Sequence, residues 1–330
     1  MDCNFIVDNI RKIVASHKLA PGKYRRWNFQ NEDGTHDMEP SPYGCADAAN
    51  LLYTIGDFPS DESERRAFVE SICSFQNEES GLFEESTHRA LHTTAHCTAA
   101  LELFEAKPKH PMKALFKYAD PDILRDFLEN LEWEQNPWES SHDGAGLYAA
   151  YVLAGHADRE WEQVYFDWFY DQADPETGLW RNGYVTQNTA PVPHYMAGSF
   201  HYLFNHEYAK MPLRYPDKMI DTCLEILKNV NGREIIHPFS FFYVDVTYCL
   251  TRALRQCGHR FDEVKEELSR FAQKYVARLS KVSWSSDREA DDIHGLFGMA
   301  CCLAELQSAL PGKIRTDVPL KLVLDRRPFI

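Results

Sequence analysis

Apolar side chains recur every three to four residues along almost the whole chain, whereas the strict alternation of a half-buried strand is weak throughout. The pattern therefore predicts an all-α protein with twelve helices. These helices are predicted over residues 3–17, 44–56, 61–75, 88–105, 120–133, 143–157, 159–173, 193–208, 215–230, 239–256, 261–279 and 288–310. An irregular C-terminal tail is predicted over residues 311–330.

The predicted helices alternate in character along the chain. Odd-numbered helices are amphipathic and charged, as in RFDEVKEELSRFAQKYVARLS at residues 260–280, whereas even-numbered helices are apolar nearly all round, as in GAGLYAAYVLAG at residues 144–155. A helix with one polar, solvent-exposed face lies at the surface, and a helix that is apolar on all sides is buried. The alternation, with a repeat of about 50 residues, predicts one (α/α)6 toroid domain over residues 1–330, with inner and outer helix rings. An open solenoid is the alternative.

The predicted connections are unequal in length. Those from an inner to an outer helix are mostly short, as in GDFPSD at residues 56–61, and those from an outer to an inner helix are mostly long, as in QNEESGLFEEST at residues 76–87. Long loops carry function more often than short ones. We therefore expect a bowl-shaped site at the rim where the inner helices begin.

The charge and composition of the chain limit the classes of partner that it is expected to bind and the compartment in which it is expected to lie. The chain carries 50 acidic against 35 basic side chains, a net charge of −15, which disfavours nucleic acid and anionic membranes as partners. The N-terminus lacks the apolar core of a signal peptide and no run of 18 apolar residues occurs, so a cytosolic location is predicted. The nine cysteines are scattered without a CxxC, which argues against disulfides and zinc knuckles. The oligomeric state stays open.

Two of the long connections match each other. QNEESGLF at residues 76–83 and DPETGLW at residues 174–180 each place a glycine before leucine and an aromatic residue. This resembles the Q-x3-G-x-[FW] repeat of the terpenoid-cyclase and protein-prenyltransferase toroids, and HTTAHCTAALELF at residues 92–104 is similar to their inner helices. The resemblance implies a helical toroid. Six-hairpin glycosidases and toroidal polysaccharide lyases share that general architecture.

The chemistry of the prenyl families does not carry over. Their cyclases protonate substrate with an Asp-x-Asp-Asp motif, whereas this chain has Glu289-Ala-Asp-Asp292. Their transferases hold zinc with an Asp-x-Cys pair, whereas Cys249 follows Asp245 by four residues here. We take the resemblance as an indication of fold, because unrelated activities share folds.

Polar residues cluster where the predicted inner helices begin. All six inner helices bring at least one histidine or aspartate toward the same rim. The candidates are Tyr43, Asp47, His88, His92, His96, His142, Asp143, His194, Tyr195, His237, Tyr243, Asp245, Asp287, Asp291, Asp292 and His294.

Asp245 and Asp292 are the predicted catalytic pair, with Asp143 as a substitute. Asp245 lies in the apolar stretch FSFFYVDVTYCL, where a carboxylate is costly unless it is paired or functional. The alternative is a buried partner for Arg252. For Asp291 and Asp292 the alternative is capping of the last inner helix. Two carboxyls across a bowl fit glycoside hydrolysis, with their separation deciding retention or inversion.

Histidines and tyrosines in the same bowl fit lyase chemistry instead. A neutral base removes the proton next to a uronate carboxyl, and a tyrosine protonates the leaving oxygen. His92, His194 and Tyr243 are the candidates for these roles.

The spacing of His88, His92 and His96 raises the question of a metal. Residues four apart share one helical face, but a third, distant ligand would be needed and no His-Glu-x-x-His is present. We predict no metal or cofactor, with His88 and His92 lining the bowl and His96 in the core.

The remaining candidates are expected to bind substrate. Trp138 and Trp284 lie in long loops and suit stacking on sugar rings, and Arg181 suits a substrate carboxylate. The predicted substrate-binding residues are His88, His92, His142, His194, Tyr43, Tyr243, His294, Trp138, Trp284 and Arg181.

The sequence thus predicts a carbohydrate-active enzyme, either a glycoside hydrolase or a lyase, acting on small oligosaccharides that include acidic ones. Two alternatives stay open. One is an enzyme like the terpenoid cyclases and prenyltransferases, and the other is a toroid that binds a ligand without catalysis.

Overall fold

The computed structural model describes residues 1–185, 190–284 and 288–330. Within these residues the chain is mostly helical, which confirms the predicted all-α class. The α-helices are α1 (Asn4–His17), α2 (Pro42–Ile55), α3 (Glu62–Cys73), α4 (Ala90–Leu103), α5 (Pro121–Glu129), α6 (Pro137–Leu153), α7 (Arg159–Asp171), α8 (Val192–Ala209), α9 (Pro216–Asn231), α10 (Phe242–Gln256), α11 (Phe261–Leu279) and α12 (Ile293–Ala309). Strands β1 (Lys18–Ala20) and β2 (Lys23–Tyr24) form a small antiparallel hairpin.

Several helix boundaries differ from the prediction, and local chemistry explains them. Helix α6 begins at Pro137, six residues before the predicted start, because proline is favourable at the first helical position. Helix α12 begins after Asp292, whose side chain accepts a hydrogen bond from the His294 amide. Helix α4 begins at Ala90, so His88 precedes the helix rather than opening it.

Burial follows the predicted alternation. Between residues 293 and 306 of α12, every residue except Gly295 is buried, whereas α11 exposes Glu266, Arg270 and Gln273 on one face. The even-numbered helices contact one another in succession from α2 to α12, and α12 contacts α2, so these contacts run in a cycle. Helix α1 packs on α2 and α12, α3 on α2 and α4, and α11 on α9, α10 and α12.

The closest approaches in this cycle occur between α4, α6 and α8. A Cβ on Gly146 would lie 2.8 Å from the Leu91 carbonyl oxygen, and one on Gly198 would lie 2.8 Å from that of Pro137. Any side chain at these two positions would therefore push the helices apart. The glycines bring the backbones of α4, α6 and α8 close enough for their inward-facing residues to touch.

The two similar connections have the same backbone hydrogen bonds. In the first, the amide of Asn77 donates to the Leu82 carbonyl over 2.8 Å; in the second, Asp174 donates to Leu179 over 2.8 Å. The glycine of each, at positions 81 and 178, has a positive φ of 79° and 72° respectively, which favours glycine. The aromatic residue of each, at positions 83 and 180, is buried. The predicted structural equivalence of the two connections is confirmed.

The predicted irregular tail has little regular structure beyond a short 3-10 turn, Val323–Asp325, and its last eight residues are mostly buried. It runs past the C-terminal ends of inner helices, where the Lys321 amide donates to the Thr54 carbonyl over 2.8 Å. The Asn205 side chain donates to the Pro328 carbonyl over 2.9 Å. Phe329 then packs between His92 and His201, with ring centroids 4.9 and 5.9 Å away. The tail thus fills the core between the inner helices from their C-terminal side.

A buried arginine ties this segment to the helices. Arg252 of α10 is fully buried and pairs with Glu305 of α12 and with Asp325, whose oxygen lies 2.5 Å from Arg252 Nη1. Burial raises the pKa of Glu305 to about 7 in spite of the adjacent arginine charge. Removing one partner of such a network leaves an uncompensated buried group.

No helix among the described residues combines the length and apolarity that a bilayer span requires. The cytosolic location stays a prediction.

Replacing Arg252 with methionine is expected to lower the free energy of unfolding by about 3–5 kcal/mol, because Glu305 loses its buried partner. Urea denaturation measures this. Arg255→Met is the matched control, since Arg255 is 41% exposed and lies 3.6 Å from the same Asp325; we expect a loss below about 1 kcal/mol. Equal losses for the two variants would contradict the role assigned to Arg252.

Candidate functional site

A cavity of about 630 Å³ opens where inner helices begin. Its lining comes from the N-terminal halves of α4, α6, α8, α10 and α12, from the segments just before them, and from the end of the chain. The lining residues are Arg26, His88, His92, Trp138, His142, Pro193, His194, Ala197, His201, Phe239, Ser240, Phe241, Phe242, Asp245, Asp292, His294, Gly295 and Ile330.

The cavity brings together most of the predicted site residues. Both carboxyls of the predicted catalytic pair, Asp245 and Asp292, lie on its wall. The predicted substrate-binding residues that line it are His88, His92, His142, His194, His294 and Trp138. Trp138 is 40% exposed and meets His142 edge-on, so its ring forms part of the entrance.

Three predicted residues lie away from the cavity wall, held by other partners. Asp143 binds the Arg89 guanidinium over 2.7 Å. Tyr243 points toward α11, where it stacks on Phe271 with ring centroids 5.7 Å apart. Arg181 forms an ion pair with Glu129.

Two further candidates lie behind or beside the cavity wall. Tyr43 is fully buried and stacks on His88, with ring centroids 4.3 Å apart. Trp284 packs edge-on against Phe239 and lines a second, smaller pocket. Asp287 lies outside the described residues.

Asp292 is bound on both oxygens. Arg26 donates to Oδ1 over 2.9 Å and to Oδ2 over 2.8 Å, and the His294 amide also donates to Oδ1. Burial opposes ionisation of this carboxyl, but the adjacent Arg26 charge outweighs it, and the pKa of Asp292 lies below its ordinary value. Asp292 therefore caps α12 and holds Arg26 in place.

The neighbouring Asp291 has a different task. Its Oδ1 accepts hydrogen bonds from the backbone amides of Asn28 and Phe29, over 2.6 and 3.1 Å. The two adjacent acids thus hold the segment that delivers Arg26 to the cavity. The role of Arg26 was missed from the sequence, because the segment between β2 and α2 carries no periodic signal.

Asp245 is the exception among the acids of the cavity. It is buried on α10, and its Oδ1 has no hydrogen-bond partner among the described residues. Arg252, the alternative partner considered from the sequence, is paired with Glu305 instead. Burial raises the pKa of the Asp245 carboxyl well above its ordinary value. Burial therefore favours the protonated form of this carboxyl on the cavity wall.

A buried carboxylate, Asp47, orients His294. Its Oδ2 lies 3.0 Å from His294 Nδ1, and its Oδ1 lies 3.0 Å from His96 Nε2, although the latter contact is not a linear hydrogen bond. Burial would raise the pKa of Asp47, but the two imidazoles bring it below its ordinary value. Since an ionised carboxylate only accepts hydrogen bonds, His294 must carry its proton on Nδ1. Burial lowers the pKa of His294 to about 4 despite Asp47, so the Nε2 lone pair is free.

Three further imidazoles meet between α4, α6 and α8. His92, His142 and His201 are all buried, and one ring nitrogen of each lies within 4.8 Å of the others. Burial lowers the pKa of all three, that of His201 to about 3. Sequence spacing did not indicate this group, because each histidine comes from a different helix. Asp47, His96 and His294 form a second group of comparable spacing.

No protein-family model, curated protein or solved structure matches this chain. The chemistry of the cavity therefore has to be inferred from its own geometry.

Asp47→Asn is expected to disturb the proton position on His294. An asparagine offers one acceptor oxygen and an NH2 donor in place of two acceptors, so the two imidazoles lose one acceptor between them. Long-range ¹H–¹⁵N correlation spectra report the tautomer. We expect the Nδ1–H form of His294 alone in the original chain, and a mixture of His294 tautomers or the Nε2–H form in the variant. Asp143→Asn, which loses a bond to Arg89, is expected to leave both rings unchanged. An unchanged spectrum in Asp47→Asn would refute the proposed orientation.

Proposed function

We propose that the chain is an (α/α)6 toroid whose cavity is the active site of a carbohydrate-active enzyme, a lyase that splits small acidic oligosaccharides. The cycle of contacts from α2 to α12 supports the toroid. The observation that supports the activity is a protonated Asp245 and a neutral, carboxylate-oriented His294 lining one cavity. These are an acid and a base in the protonation states that each needs.

Lyase chemistry is favoured over hydrolysis by the state of the carboxyls. A glycosidase generally needs two carboxyl groups flanking the bond, one of them free to act as base or nucleophile. Asp292 has both oxygens bound to Arg26, and Asp143 is paired with Arg89 away from the cavity wall. Asp245 is left as the acid without a carboxylate counterpart.

In the proposed reaction, His294 Nε2 removes the proton from the carbon next to the sugar carboxylate. The electron pair of that C–H bond forms a C=C bond, and the bond between the neighbouring carbon and the glycosidic oxygen breaks. Asp245 donates its proton to the departing oxygen. Among the described lining residues Arg26 is the one arginine or lysine, and we assign it to the substrate carboxylate, whose charge must be offset before the proton leaves.

The lining also suits a sugar ring. Trp138 is partly exposed at the entrance, and Phe241 and Phe242 line the cavity at the start of α10. Aromatic faces pack against the C–H groups of pyranose rings. Six imidazoles and an arginine in the same lining favour a polar substrate over the hydrocarbon chain that a terpenoid cyclase or prenyltransferase encloses.

Replacing either reacting group is expected to lower kcat by about 10²–10⁴-fold while the fold is retained. The variants are Asp245→Asn and His294→Gln, assayed on uronate-containing oligosaccharides by the ultraviolet absorbance of the unsaturated product. His206→Gln and Asp221→Asn are controls, because these residues lie outside the cavity lining. Aryl glycosides form a second panel. Release of aryl alcohol without an unsaturated product would favour a hydrolase, and no turnover of either panel would favour a binding protein.

The pH dependence of kcat/KM, which reports the free enzyme, gives a second test. His294 must be neutral and its pKa is about 4, so kcat/KM is expected to rise with pH through about 4 rather than through the ordinary histidine range near 6.5. Asp245 must be protonated, so kcat/KM is expected to fall again at the raised pKa of that carboxyl. A kcat/KM profile rising near pH 6.5 would contradict the assignment of His294.

A further inference from the structure

We propose that His92, His142 and His201 bind one divalent transition-metal ion of the zinc class, with a coordination position left open toward the cavity. The three side chains come from α4, α6 and α8, and one nitrogen of each lies within 4.8 Å of the other two. All three line the cavity. Three imidazoles with a fourth position for water or substrate are the ligand set of open zinc sites.

The three rings are prepared as ligands. A histidine binds metal through an unprotonated nitrogen, and all three imidazoles are buried where they line the cavity. The group of His92, His142 and His201 contains no carboxylate. The second group does contain one, Asp47, which can accept a hydrogen bond from a ring N–H.

Two of the rings also have a hydrogen-bond partner on Nδ1, which leaves Nε2 as the ligand atom of each. His92 Nδ1 is hydrogen-bonded to the Tyr43 hydroxyl over 2.5 Å, and His201 Nδ1 lies 2.9 Å from Ser141 Oγ. The Ser141 hydroxyl donates to the Trp138 carbonyl, so its oxygen accepts from His201. This fixes the His201 proton on Nδ1 and leaves Nε2 for the metal. Such outer partners orient metal-binding histidines and strengthen them as ligands.

The backbone supports the same geometry. Gly146 and Gly198 allow α4, α6 and α8 to approach so closely that their inward side chains meet. For zinc–nitrogen bonds of about 2.0–2.1 Å, tetrahedral ligands are about 3.4 Å apart. The ring nitrogens now lie at most 4.8 Å apart. Rotation of the side chains, without movement of the helices, is enough to bring them to the shorter tetrahedral distance.

The second group is less suited to a metal. The Asp47 carboxylate is already hydrogen-bonded to His294 Nδ1 over 3.0 Å, and its other oxygen lies 3.0 Å from His96 Nε2. A metal there would have to displace these contacts. In the proposed site the ring nitrogens converge without an acid between them.

The test is a zinc titration of the full chain after chelator treatment, followed by calorimetry and by metal analysis of the dialysed protein. We expect one Zn²⁺ per chain and a higher Tm with the metal. His201→Gln and His142→Gln should each weaken binding by more than about 100-fold, and Tyr43→Phe by about 10–100-fold. His206→Gln is the matched control, because His206 is also buried on α8 but lies outside the group; its affinity should be unchanged.

Co²⁺ supplies a spectroscopic check, since ligation by nitrogen alone gives a visible spectrum without thiolate charge-transfer bands. The proposal is overturned by no stoichiometric binding in the original chain, by binding that survives both His201→Gln and His142→Gln, or by thiolate bands. Loss of binding in Asp47→Asn with retention in His142→Gln would also overturn it and place the ion in the second group. If circular dichroism shows that His201→Gln is unfolded, the zinc affinities of His142→Gln and Tyr43→Phe test the proposed site instead. Metal binding is read without turnover, so it stands or falls separately from the proposed lyase activity.

Discussion

Close packing of the inner helices is the constraint on which the rest of the structure depends. The even-numbered helices pack against one another so closely that their polar side chains must find partners within the core or change protonation state. Asp292 and Asp47 find cationic or imidazole partners and stay ionised. Asp245 has an oxygen without one and stays protonated. The chemistry proposed for the cavity follows from this difference between the carboxyls that have charged or imidazole partners and the one that does not.

The sequence predicted the features that depend on periodicity and short motifs. Twelve helices, their alternation between wet and buried, and the two equivalent connections could be read directly, because each is encoded within a few turns of chain. The expectation that polar groups gather where inner helices begin also led to seven of the residues that line the cavity, including Asp245 and His294. These residues lie close to helix starts, where sequence and position in the fold are most directly linked.

The features that the sequence did not predict depend on partners far along the chain. His201 lies in the third turn of α8 and meets His92 and His142 only because three helices converge at Gly146 and Gly198. Arg26 comes from a segment without periodicity and is held by Asp292, 266 residues away. Tyr243 and Arg181 had the right residue types, but packing against Phe271 and pairing with Glu129 direct them elsewhere. A pattern within one helix specifies a face, whereas the neighbour on that face depends on the whole fold.

Burial is expected to reverse the usual order of two pKa values in the cavity, so that Asp245 keeps its proton at a pH where His294 has lost its second one. One NMR titration that follows the Asp245 carboxyl carbon and the His294 ring nitrogens in the same sample measures both pKa values. We expect His294 to gain its second proton at about pH 4 and Asp245 to ionise at a higher pH than that. An Asp245 that is ionised throughout, together with a His294 that titrates near its ordinary value of about 6.5, would contradict this expectation.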